Sequence, residues 1–63
     1  MKLYEYSGPV EVFGKCVEHI WRGSTYAVSE GKARSNLAYQ YKQQTNRSAR
    51  TQVKLPGKLV LVG

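Results

Sequence analysis

Sixty-three residues with 10 Lys+Arg against 4 Asp+Glu predict one small domain (1–63), and the formal charge of +6 suits either anionic partners or simple solubility. A chain this short hides only about 60% of its unfolded surface, which excludes most cofactor-binding enzyme folds. A single Cys excludes an internal disulfide framework, and 41% apolar residues argue against disorder.

The first strand is predicted from Lys2 to about Phe13. Its even positions Tyr4, Tyr6, Val10 and Val12 are apolar, and its odd ones include Glu5, Ser7 and Glu11. That alternation gives one buried and one open face. Ser7-Gly8-Pro9 interrupts it, because proline cannot donate to a ladder. A turn is expected at Gly14-Lys15. A second strand follows from Cys16 to Val28, dense in β-formers and interrupted at Arg22-Gly23. Its alternation is less clean, and the buried face is left open.

A helix follows. Ser29 is a good N-cap, and the charge of Glu30 suits the first turn. Ala33, Leu37 and Tyr41 recur at i, i+4, i+8 as an apolar stripe, which Ala38 widens. Thr45 to Thr51 is a polar loop. The last strand runs from Gln52 to Val62, with Val53, Leu55, Leu59 and Leu61 on one face and a break at Pro56-Gly57.

One amphipathic helix and one apolar sheet face cover each other. The fold class is therefore α+β, in the order ββαβ, with a bent antiparallel three-stranded sheet and the helix packed on one face. The expected core is Tyr4, Tyr6, Val10, Val12, Ile20, Tyr26, Val28, Ala33, Leu37, Tyr41, Val53, Leu55, Leu59 and Leu61. Phe13, Trp21, Val60 and Val62 are the candidates for the open face.

Charge is divided unevenly along the chain. Residues 1–31 hold three cations and four acids, net −1, whereas residues 32–63 hold seven cations and no acid, net +7. Such asymmetry points to an interaction surface. Two parts of the basic half suit phosphate. Lys32 and Arg34 flank the free N–H groups of the helix start, although Glu30 counts against an anion there and a normally capped helix is the alternative. Arg47, Arg50, Lys54 and Lys58 are spaced along a loop and strand and suit a phosphate backbone without base reading.

Catalytic signals are weak. Cys16-x-x-His19 supplies two ligand types where a zinc site needs more, and strand alternation puts the two on opposite faces. No phosphate-binding glycine loop or nucleophile elbow is present. The chain is read as not an enzyme, with no cofactor and no metal site. Met1-Lys2-Leu3-Tyr4-Glu5 lacks the apolar region of a signal peptide. The longest aliphatic run, Leu59 to Val62, is far below the ~20 residues of a spanning helix. A membrane is therefore not an expected partner, and the free Cys16 fits a reducing cytoplasm.

The ordered pattern Ser7-Gly8-Pro9-Val10, then Ala27-Val28-Ser29-Glu30-Gly31-Lys32-Ala33-Arg34-Ser35-Asn36-Leu37 with Tyr39-Gln40-Tyr41-Lys42, then Leu55-Pro56-Gly57-Lys58, covers nearly the whole chain. It resembles short proteins carried by prophages and mobile elements of Gram-positive bacteria. The resemblance implies a small accessory protein and assigns no activity or site residue. Together these readings predict a non-catalytic accessory protein that binds nucleic acid through Lys32, Arg34, Arg47, Arg50, Lys54 and Lys58. The alternative is an adaptor or inhibitor that docks on an acidic protein through the open sheet face or an edge strand.

Overall fold

A computed structural model describes residues 1–48 and 50–62, so Ala49 of the expected polar loop lies outside the described residues. The elements in chain order are β1 (Lys2–Val12), β2 (Lys15–Ala27), α1 (Glu30–Gln44), β3 (Val53–Lys54) and β4 (Leu59–Leu61). All strand pairs are antiparallel, and the class is α+β. β1 is central. It pairs with β2 on one side and with both β3 and β4 on the other. A single third strand was expected over residues 52–62. It is instead two short strands, with the break at Leu55 to Lys58 where Pro56-Gly57 interrupts the pattern.

The turn between β1 and β2 is Phe13-Gly14, one residue earlier than expected. Both residues have positive φ, 51° and 80°. That pair of angles marks the type I′ hairpin turn, whose twist matches the strands it joins. The interruption in β2 also lies elsewhere than expected. Pairing runs evenly from Lys2↔Ala27 to Gly8↔Trp21, then passes through Val10↔Glu18 and Glu11↔Cys16. Between Trp21 and Cys16, β2 therefore carries extra residues opposite Pro9 and its neighbours. Bulges absorb the donor that Pro9 lacks.

The three irregularities lie side by side across the sheet, and Tyr6 fills the gap they leave. Its ring is 1% exposed. Its hydroxyl donates to the Pro9 carbonyl at 2.6 Å and accepts from the Gly57 N–H at 2.9 Å. Arg34 completes the repair by donating to the carbonyls of Leu55 and Gly57. Two side chains thus stand in for the ladder bonds missing between β3 and β4.

The helix forms as the sequence predicts. Ser29 caps it, accepting from the Lys32 N–H at 3.3 Å, and Ala33, Leu37 and Tyr41 form its buried stripe. The main core joins Tyr6, Val10, Val12, Leu37, Tyr41 and Leu55, with Trp21, Val53 and Leu59 packed against it. A smaller cluster joins Tyr4, Ala27 and Ala33.

β2 corrects the expected core. From Trp21 to Ala27 its odd positions, not its even ones, face the helix. Ala27 is buried and Trp21 half-buried on the inner side, whereas Ile20 and Tyr26 point to solvent. Trp21, expected on the open face, stands edge-on to Tyr41, with ring centroids 5.5 Å apart. It lies over Gly23, where an added Cβ would come within 2.6 Å of the indole. Val28 lies past the end of β2 and is exposed. Leu61 is exposed because α1 lies on the β2 side of the sheet, away from β4. Asn36 reaches Thr25 and the Tyr26 carbonyl, Gln40 the Ser24 carbonyl, and Gln44 accepts from the Trp21 indole N–H. These polar residues at i, i+4, i+8 run along the outer edge of β2.

Candidate nucleic-acid interface

The C-terminal end of α1 fixes the first basic residue. Asn46 has φ 56°, in the left-handed region that ends many helices. Its N–H donates to the Gln43 carbonyl at 3.3 Å, and the Arg47 N–H donates to the Lys42 carbonyl at 2.8 Å. This is the double-bonded Schellman ending, which commonly carries a side-chain contact back onto the last turn. Here that contact is the Arg47 guanidinium, 6.0 Å from the centroid of the Tyr41 ring. The ring attracts the cation and holds it at the helix end without neutralising it.

Ser48 organises the next one. Its hydroxyl accepts from the Arg50 N–H and its carbonyl from the Thr51 N–H, each at 3.0 Å. The chain then meets the hairpin tip, where the Phe13 N–H donates to the Gln52 carbonyl at 3.0 Å. From there β3 pairs with the end of β1: Val53 opposite Val12, Lys54 opposite Glu11. Val12 is also opposite Lys15. Lys15 and Val53 therefore flank one residue, about 10 Å apart at typical strand spacing.

The topology thus brings Arg47, Arg50 and Lys54 to the end of the molecule that holds the hairpin tip, and it adds Lys15. Sequence reasoning missed Lys15 because it lies in the half with net negative charge. Only the pairing of β1 with both β2 and β3 reveals it. Glu11 and Glu18 are the acids of this end and reduce its positive field. Lys54 stands directly across from Glu11.

The other expected residues lie elsewhere. Lys32 is exposed in the first turn of α1, roughly 18 Å along the helix axis from its last residue, Gln44, at 1.5 Å per residue. Lys58 is exposed on the far side of the Pro56-Gly57 break from Lys54. Arg34 is turned into the fold. Besides its two backbone carbonyls it lies 3.5 Å from Glu30, and 37% of its side chain is exposed. Both of its terminal guanidinium nitrogens are bonded within the fold, which draws Arg34 toward residues 55–57 and away from a cradle shared with Lys32 at the helix start.

Two surface depressions accompany these groups. One, of about 400 Å³, runs between Arg34, Ser35 and Ala38 of α1 and the segment from Val53 to Pro56. The other, of about 510 Å³, lies on the outer sheet face among Glu5, Ser7, Arg22, Ser24 and Val60. Both are open. The Cys16 thiol is exposed and donates to the Glu18 carbonyl at 3.2 Å. The register shifts on either side of Glu18 break the strict alternation assumed between Cys16 and His19. Among the described residues no helix is long and apolar enough to cross a membrane. No protein-family model, curated protein or solved structure matches the chain.

Proposed function

We propose that this is a non-catalytic accessory protein, of the kind carried by prophages and mobile elements, that holds nucleic acid by its phosphates at the hairpin-tip end of the molecule. The observation that carries this reading is that a helix ending, a loop and two strands bring Arg47, Arg50, Lys54 and Lys15 to the hairpin-tip end, with Lys15 on the helix side of the sheet beside Val12 and Lys54 on the outer side beside Glu11. Each is set on backbone that the fold already holds, so little order has to be gained on binding. The contacts are to phosphate, and the affinity they give is salt-dependent and indifferent to sequence.

The test is binding of labelled single- and double-stranded DNA and RNA across a salt series. Four phosphate contacts predict a log–log slope of about −3 on single strands and about −4 on duplex. Arg47→Glu should weaken binding and flatten the slope, and Lys32→Glu should do much less. Absence of binding at low salt would overturn the proposal.

A second reading rests on a different observation. On the outer sheet face Tyr26 of β2, Leu3 of β1 and Val62, just past the end of β4, lie in one row next to Val60. Tyr26, Val60 and Val62 are exposed there. That row suits a protein partner, the adaptor role. In the same assay Tyr26→Glu should leave strand binding intact if phosphate gripping is the function.

A further inference from the structure

Phe13 is costly where it stands. Its φ of 51° lies in the region that Asn, Asp and Gly tolerate and that bulky side chains avoid. The fold recovers little in exchange, since the residue is 66% exposed at the tip of the hairpin. An exposed Asn would satisfy the same turn with less strain. Strain held at one residue without packing in return is characteristic of binding positions.

Its surroundings indicate the partner. Phe13 is flanked in the chain by Gly14 and Lys15, and its N–H is anchored to Gln52, two residues from Arg50 and two from Lys54. The flat face of an aromatic ring among cations complements a base attached to its phosphates. In a duplex the base faces are closed by stacking and open only when a step is unstacked. In a single strand they are free.

We infer that Phe13 stacks on an unpaired base of single-stranded nucleic acid, while Lys15, Arg50 and Lys54 hold the phosphates on either side. This rests on the phosphate-gripping reading above. It adds that the bound strand is unpaired and that its bases, not only its backbone, contribute to affinity. The narrow two-residue turn presents a single ring, so one base is engaged per protein.

The experiment compares a labelled oligothymidylate with an abasic strand of equal length, which keeps the phosphates and lacks the bases. The intact protein should bind the oligothymidylate about tenfold more tightly, the increment of one stacked base. Phe13→Asn should bring that affinity down to the level of the abasic strand and raise the melting temperature by a few degrees. Ile20→Ser, an apolar-to-polar change at another exposed site on the same hairpin, should keep the preference. Equal binding of the two strands by the intact protein would overturn the stacking role and leave phosphate gripping standing. So would a preference that survives Phe13→Asn, or tighter binding to a duplex of the same sequence. Absence of binding to either strand at low salt, with uptake onto anionic vesicles instead, would overturn both readings and make the tip a membrane contact.

Discussion

Tyr6 shows how one side chain can hold a sheet together where the backbone cannot. Its hydroxyl both donates and accepts between Pro9 and Gly57, two residues brought together from 48 positions apart. Tyr6→Phe keeps the ring and leaves a carbonyl and an N–H without partners, which should cost about 2 kcal/mol of stability. Urea unfolding followed by the fluorescence of the single tryptophan, Trp21, would measure it, because that indole lies 6.3 Å from the Tyr6 ring. An unchanged midpoint would mean that water replaces the hydroxyl. Arg34 works in the same gap. Its charge was legible in the sequence, but its use was not: nothing in Gly-Lys-Ala-Arg-Ser marks a guanidinium that turns back onto carbonyls 21 and 23 residues away.

Among the elements, the helix was the most legible, because its cap and its stripe at i, i+4, i+8 are both local signals. Ser29, Ala33, Leu37 and Tyr41 do in the structure what their spacing predicts. The strands were legible where alternation is regular and failed where it is not. Assigning Ile20 and Tyr26 to the core followed from their hydrophobicity. In the structure, pairing with β1 sets the face of β2, and Trp21 and Ala27 take the inner positions. The extra residues lie next to Pro9, not at Arg22-Gly23, since the register depends on the neighbouring strand. The helix ending connects stability to the proposed site. Asn46→Ala puts a Cβ-bearing residue without Asn's local hydrogen bonding into the left-handed region, at a cost of about 1 kcal/mol. It should also loosen the backbone that places Arg47 over Tyr41. Thermal unfolding and the salt-series assay should therefore report the same substitution together. A loss of stability with full binding would separate Arg47 from the site.

Across the whole molecule, the charge asymmetry of the sequence becomes only partly spatial. Arg47, Arg50 and Lys54 gather at one end, Lys32 stays at the other, and Lys15 joins from the acidic half. Sequence position alone cannot show this, because β1 meets both its immediate successor and the last strands of the fold. The same arrangement leaves the sheet with two unlike borders. Along β2, helix amides occupy the carbonyls of Ser24 and Tyr26, and register shifts disturb the rest. A strand arriving there finds little open ladder. Along β4, Leu59-Val60-Leu61 pairs with β1 on one side only, and Lys58 is the charge beside it. Self-association at high concentration should therefore begin at that border. Val60→Lys should lower light scattering in concentrated solution, and unchanged scattering would place the contact elsewhere. In material terms the sheet has a closed seam and an open hem, and the three residues on the hem, rather than the net charge, should decide how readily copies join as concentration rises.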